Sequence, residues 1–592
     1  MRFQQADQVA INRLFVAILG GGAGLALWAL TDNWNDPMIS PVLYLAIFVF
    51  VIVYSLVVLA LAGPLGPIRA LQGALILAMP VTALASLAGM RFVVATDLLD
   101  NQIVMTAILL LVLFATPFLS CWLTDRPSWL QYDTLFDSAW VIAVQYTVAW
   151  VFVGVFWGVL FLSNALLQLV DVDFIQLVLN NGWSVFTLTG AVLGVALAVV
   201  FELRAMISPY LILRLLRLMV PPVLAILAVF LAAIPLRGLS GVFGDFSSAA
   251  TLMAAAITGI SLVATALDRD DDMAVKTWGI RWATQGLAVL LPLLTALAVW
   301  SVLLRVLQYG WTPERVLAGM IAVFLLAYGL GYAGAVLLRT NWMARIRRIN
   351  VAMALAVIAA SVLWMTPVLN AYRIAVNSQL TLFEQEKIDV DQLALWEMEH
   401  EWGRAGQAGV RKIEAMMDRT DYTEITTRIE AGRTQHSRYR AKRNVEHAML
   451  PKQSEILVSL LPVRPKTHIL APDAFVELPL YRVNQWLKGC QRPLPDGRAG
   501  CVLIIGEFTP GAVPGSQAML LYNDENAKSR THFVVLSDGK ISDVREVLGP
   551  VGNTWPVLPQ EAITQALEGQ FKVLPRQGSA LHLGDQVLVP AN

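Results

Sequence analysis

Charge is scarce in this chain. Only 15% of its 592 residues are Asp, Glu, Lys or Arg, against about 25% in a soluble domain. The shortfall is concentrated before residue 373, so the chain has two chemically different regions. Neither sign dominates: 43 basic residues balance 43 acidic ones, which implies no pull toward nucleic acid and none as a partner. Histidine is scarce too; six residues leave few candidates for general acid–base work. There is no Gly-x-Ser-x-Gly, no zinc-protease histidine motif and no Walker motif. No fixed-period repeat or low-complexity tract is visible. No catalytic residue, cofactor or metal site is therefore assigned. The long apolar runs are almost empty of ionisable groups, which counts against ion or proton coupling.

What is abundant is hydrophobic sequence, at 57%. Apolar runs predict eleven membrane spans, at about 14–30, 41–62, 73–93, 103–122, 138–167, 183–201, 219–236, 250–267, 282–304, 317–338 and 351–372. Many of the 18 Trp stand near span ends, as at an interface. The first run has no cleavage site after it and reads as an uncleaved anchor behind a polar N-terminus, residues 1–13. The last run, from Val351 to Tyr372, carries no charge and follows a basic loop, Arg339–Asn350. At ~1.5 Å per residue it is long enough for a hydrocarbon layer of roughly 30 Å.

That last span decides where the remaining residues lie. Alternate loops divide fourteen Lys and Arg, from Arg2 to Arg348, from four: Arg91, Arg237, Arg305 and Arg315. The rule that positive charge stays inside puts the N-terminus in the cytoplasm. An odd number of crossings then puts everything after Tyr372 outside, in the periplasm of a bacterial inner membrane. Three cysteines bear on this. Cys121 sits in the fourth span and reads as a buried apolar residue. Cys490 and Cys501 flank a Pro- and Gly-rich stretch that can bring its ends together, and an oxidising compartment would close a disulfide between them, worth ~3 kcal/mol; two free thiols are the alternative.

The exterior region divides in two. Residues 373–450 carry helical patterning with dense mixed charge, and Gly403, Gly406 and Gly409 suggest a turn between two helices. Residues 451–592 hold short β-like runs beginning at Cys501, Ala518, His532, Phe571 and Gln586, with a turn at Ser537–Lys540. The fold class is thus an α-helical polytopic membrane protein, domain 14–372, with a C-terminal soluble α+β domain containing a small antiparallel sheet.

Several polar features have plain readings. Gly20–Gly24 and Gly329–Gly334 mark close helix contacts. Gln145 and Tyr146, in mid-span, are interhelical hydrogen-bonding groups, or else line a cavity together with Gln285. Asp268–Asp272 reads as a solvated acidic loop. Leu211–Leu218 reads as a basic amphipathic segment along the inner surface, with Arg214 and Arg217 on anionic headgroups. Glu397–Glu401 reads as a charged helix face.

The loop between spans nine and ten runs from Arg305 to Tyr309-Gly310-Trp311-Thr312-Pro313-Glu314-Arg315. Thr312 can cap a helix that begins at Pro313, with Glu314 suited to its positive end. With the many-helix block and the helical stretch after the last span, this turn resembles the bacterial membrane family catalogued as domain of unknown function 4153, over most of the chain to about residue 420. That family has no established activity, so the resemblance supplies no catalytic residues. The expected function is a non-enzymatic scaffold, sensor or assembly component of the cell envelope. The lipid bilayer is its surroundings, and other envelope proteins are partners through the periplasmic domain. The alternatives are a transporter of a neutral or lipid-like solute, and an enzyme on lipid-linked substrates using the outer loop's Arg305, Tyr309, Glu314 and Arg315.

Overall fold

The computed structural model describes residues 2–32, 39–124, 126–202, 209–237, 248–417, 422–435, 437–509, 511–524, 528–548, 558–559, 561–576, 578–583 and 586–590. The chain forms two compact units, Met1–Lys412 and Ile413–Asn592. The division falls in the last turn of one helix, inside the stretch that the sequence treats as a single juxtamembrane region.

The first unit is helical. It comprises α1 (Arg2–Asp32), α2 (Pro41–Leu65), α3 (Pro67–Gly89), α4 (Gln102–Thr124), α5 (Tyr132–Gln168), α6 (Phe174–Asn180), α7 (Gly182–Glu202), α8 (Pro209–Arg217), α9 (Val220–Arg237), α10 (Ser248–Leu267), α11 (Trp278–Tyr309), α12 (Pro313–Leu337), α13 (Trp342–Met365), α14 (Ala371–Glu384), α15 (Leu395–His400) and α16 (Gly403–Glu414). Among the described residues, eleven helical segments are long and apolar enough to cross a membrane. They correspond to the eleven runs expected, the third, fifth and seventh starting six residues early and the last displaced most. The last crossing is Trp342–Met365, about two helical turns earlier than 351–372. Thr366-Pro367 ends it, since proline disfavours helix for the residue before it, and Asn370 starts α14 by accepting from the backbone N–H of Tyr372 and Arg373.

That shift draws three arginines into the first turns of α13, and one of them, Arg347, is held there by pairing. Arg347 is buried. Its Nη2 donates to Leu267 O at 2.7 Å and its Nε to Asp268 O at 3.3 Å, closing the end of α10, while its Nη1 reaches Asp271 Oδ1 at 2.6 Å. Arg217 donates to Thr265 O and Met273 O, both at 3.0 Å, and to the Asp268 carboxylate. Asp268 is 1% exposed. The acidic stretch is therefore not the solvated loop expected, because the Asp268 carboxylate pairs with Arg217 of α8 while its backbone carbonyl accepts from Arg347 of α13. Arg217 likewise turns inward instead of meeting headgroups, whereas Arg214 is exposed.

Small residues set the tightest helix contact. On α1, a Cβ at Gly20 would stand 2.1 Å from Gly190 O and one at Gly24 2.1 Å from Phe186 O. On α7, Gly190 and Gly194 are met by Gly20 O and Val16 O at 2.0 and 2.3 Å. Four-residue glycine spacing on both helices thus lets two backbones touch. Gly329 packs similarly against Leu291 and Pro292 of α11, while Gly334 faces open space.

The second unit holds α17 (Tyr422–Thr434), α18 (Arg438–Leu460), α19 (Leu480–Gln491) and α20 (Ala562–Leu567). Its strands are β1 (Val463–Arg464), β2 (Cys501–Ile505), β3 (Gln517–Asn523), β4 (Ser529–Ser537), β5 (Lys540–Leu548), β6 (Lys572–Arg576), β7 (Gly578–Leu583) and β8 (Gln586–Pro590). The sheet order is β1-β2-β3-β4-β5-β8-β7-β6. Pairing is antiparallel throughout except that two-residue β1 adds to β2 in parallel, which makes the sheet mixed. The expected turn is real: Asp538 and Gly539 both have positive φ, 51° and 75°, between β4 and β5, as a two-residue hairpin requires.

The strands are apolar on both faces because both faces are covered. Leu503, Ile505, Leu520, Tyr522, Val534 and Leu536 meet α18 and α19 residues such as Leu457, Trp486 and Leu487. Val502, Ile504, Met519, Leu521 and Phe533 meet Ile563, Ala566 and Leu567 of α20. Cys490 of α19 and Cys501 of β2 form a disulfide that ties helix to sheet.

One buried polar group in this core makes it pH-sensitive. His532 is 4% exposed and stacks on Tyr522 with ring centroids 5.4 Å apart. Trp486 Nε1 donates to its Nδ1 at 3.0 Å, and Arg482 Nη1 lies 2.9 Å from its Nε2. Burial, then the Arg482 charge, pushes the imidazole pKa down to about 4. An unfolded chain takes the proton near pH ~6.5. Between those values the unfolded state binds more protons, so stability is full above the upper one and declines as pH falls toward the lower one. The expected loss is about 3 kcal/mol for this unit. Hydrogen exchange of β3 and β4 amides in the full chain, corrected for intrinsic rate, reads it; equal protection at pH ~7 and ~4 would contradict it.

Candidate functional site: a basic pocket at one end of the bundle

The loop that sequence reasoning put forward is built, but its polar groups are occupied. Thr312 caps α12 by accepting from Arg315 N at 3.4 Å, with Pro313 in the first helical position and Glu314 in the first turn. Arg315 folds back, its Nη1 donating to Tyr309 O at 3.2 Å and Gly310 O at 2.7 Å, with its guanidinium 5.6 Å from the Tyr309 ring centroid. Gly310 has φ 73°, and α14 presses on it: Gln379 Nε2 donates to Tyr309 O at 3.0 Å, and Ser378 Oγ accepts from Trp311 N at 3.0 Å. Trp311 packs on Gly319. Arg305 and Glu314 are exposed. The segment is a clamp holding α14 across the ends of α11 and α12.

The polar groups in mid-span are likewise engaged. Tyr146 Oη donates to Leu56 O at 2.6 Å, Asn164 Nδ2 to Gln176 Oε1 at 2.8 Å and Thr147 Oγ1 to Ala143 O at 2.8 Å. Gln145 is buried and lines a cavity of about 310 Å³ with Ser120, Asp137 and Ser138; Gln285 does not line it. A larger space of about 570 Å³ opens between α4, α5, α8, α10, α12 and α13. Its walls are apolar, with Phe114, Phe118, Phe136 and Trp140, and its polar end carries Tyr132, Tyr328 and Asn350. Asn350 binds Tyr332 Oη and sits 3.5 Å from Tyr132 Oη.

A different cavity concentrates charge. Where α3 and α13 end, α14 and α16 enclose about 610 Å³ lined by Arg91, Arg373, Arg404 and Lys412, together with Asn370, Tyr372, Asn377 and Trp402. Local packing explains why these residues meet. Arg91 follows α3 and donates from Nη1 to Trp364 O at 2.8 Å and from Nη2 to Thr366 O, so a cation closes the negative end of α13. The chain turns at Gly403 (φ 56°), where a Cβ would stand 2.5 Å from Arg91 O. Arg404 N then donates to Arg91 O at 2.9 Å, and Arg404 Nε to Phe92 O at 3.1 Å. Gly406 and Gly409 let α16 lie on Met398 and Val376. Of the three glycines expected to mark a turn between two helices, only Gly403 stands at the turn; Gly406 and Gly409 lie inside α16 as packing surface.

Two buried polar atoms here lack a partner among the described residues: Arg91 Nε and Tyr372 Oη. No carboxylate lines the cavity, and among the described residues none pairs with its four cations. The carboxylates felt by Tyr372, those of Glu314 and Glu401, stand outside the lining, and burial is the main cause that raises the phenol's pKa. Such a pocket can hold an anion; it presents no nucleophile paired with a base. Sequence reasoning missed it because Arg91 lies far along the chain from the others; the only local signal was the Gly403-x-x-Gly406-x-x-Gly409 spacing. Comparison of this chain with protein-family models, curated proteins and solved structures finds no match.

Proposed function

We propose that the chain is a multi-pass protein of a bacterial inner membrane, with its N-terminus in the cytoplasm and Ile413–Asn592 on the periplasmic side, acting as a non-enzymatic scaffold or sensor of the cell envelope. The observation that carries this is the division of basic residues between alternate loops, fourteen against four. The Cys490–Cys501 bridge supports it, since disulfides persist in oxidising compartments. Alkaline phosphatase fused behind Asn592 is expected to be active and a fluorescent-protein fusion there dark; the reverse pattern would place the second unit in the cytosol and end the proposal. Crosslinked membranes are expected to yield a stoichiometric envelope partner.

Transport of a lipid-like solute is a second reading, favoured by the cavity of about 570 Å³ with apolar walls and a hydroxyl-rich end. An enzyme on lipid-linked substrates draws no support from the loop at Arg305–Arg315, whose Tyr309, Gly310, Trp311 and Arg315 are engaged in holding α14.

A further inference from the structure

We propose that the basic pocket between α14 and α16 is a binding site for a phosphate-type oxyanion. The argument rests on charge, enclosure and unused donors. Three guanidinium groups and one ammonium line about 610 Å³ without a carboxylate among the lining residues. Like charges so placed repel one another, and the repulsion is relieved by a bound anion. Guanidinium groups match the oxygens of a phosphate through paired N–H donors.

Two of the cations are fixed by the fold and two are not. Arg91 is tied to the carbonyls of Trp364 and Thr366, and Arg404 Nε to that of Phe92. Arg91 Nε is left buried without an acceptor, and a buried donor in that state is costly until an acceptor arrives. Arg373 and Lys412 are exposed at the rim on α14 and α16, placed to close over a bound group. Trp402, 3% exposed, and Tyr372 form rigid walls. Leu87, Met90 and Pro367 supply an apolar side. A phosphate carried on a lipid would use both parts of this lining; a soluble phosphate compound would use the cations alone.

This deepens the sensor reading and takes its biological meaning from it. Binding by purified protein is independent of topology, so a reporter result against the periplasmic placement and a failure to bind are separate outcomes. The full-length protein in detergent would be examined by native mass spectrometry with phosphatidylglycerol or phosphatidylcholine, and by calorimetric titration with inorganic phosphate. The test variant is Arg373→Gln/Lys412→Gln, both exposed side chains outside the hydrogen bonds that build the pocket. Each removed cation is expected to weaken binding about tenfold. Preferential retention of phosphatidylglycerol that the variant loses assigns a lipid phosphate. Binding of inorganic phosphate that the variant loses, with no lipid preference, assigns a soluble phosphate compound. Should the double variant fail to fold, the charge reversal Arg373→Glu is used in its place. Absence of both activities in the natural protein, or binding by the folded variants equal to it, overturns the proposal.

Discussion

Replacing Gly190 with Leu is expected to unseat α1 from α7 and to abolish a monodisperse folded protein in detergent. A first side-chain carbon there stands 2.0 Å from the carbonyl oxygen of Gly20, which is backbone and cannot rotate away. Relief requires the helices to separate, and with them the contacts of Val16, Leu193 and Leu197 in the same cluster. Overpacking in a core costs about 1–3 kcal/mol when side chains can yield; against backbone on both helices the cost lies above that range. Gly20→Ala should already lower the melting temperature. Gly22 is the control, because a Cβ there meets nothing within 4 Å. Gly22→Ala should be neutral or stabilising by up to about 1 kcal/mol, the difference in helix preference. Thermal unfolding followed by size-exclusion fluorescence separates the two, and equal behaviour of Gly20→Ala and Gly22→Ala would show that the close crossing is not made.

Asp268→Ala is the second large effect. The carboxylate is buried, and it faces Arg217, whose side chain is only 13% exposed. Removing one partner leaves the other charge buried without compensation, a loss of about 3–5 kcal/mol. The same substitution at Asp272, an exposed carboxylate of the same stretch, should cost under about 0.5 kcal/mol. The double change Asp268→Asn/Arg217→Met should recover much of the loss, because it removes both buried charges while Asn tolerates the left-handed backbone (φ 52°) at this position. If Asp268→Ala and Asp272→Ala lower the melting temperature alike, the buried pair is not what joins α8 to the end of α10.

Both effects concern features that the sequence displayed and only partly explained. Glycine spacing at Gly20 and Gly24 announced a close contact, yet its partner, Gly190 and Gly194, lies some 170 positions on and has the same spacing by itself. The acidic stretch at Asp268 looked like a solvated loop because burial of a carboxylate depends on which cation arrives, and Arg217 arrives from 51 residues away, while Arg347, 79 residues away, takes the backbone carbonyl. Arg347 looked like part of a loop for the same reason: an arginine buried in a helix is tolerable when its donors are used. In the second unit, β2 to β5 were readable because β-rich runs and a turn at Asp538-Gly539 are local signals, whereas β7 and the placing of β1 were not.

Runs of apolar residues long enough to cross a bilayer need no tertiary partner to be recognised, because the hydrocarbon layer itself demands them. The sequence therefore determined the eleven crossings, the asymmetry of positive charge and the two chemically different regions. Tertiary structure alone decided which charges are buried, which glycines touch, that the loop at Tyr309–Arg315 is a clamp, and that four cations converge between α14 and α16. The reason is range: hydropathy is a property of neighbours in the chain, while pairing and enclosure depend on residues that meet only after the helices have packed.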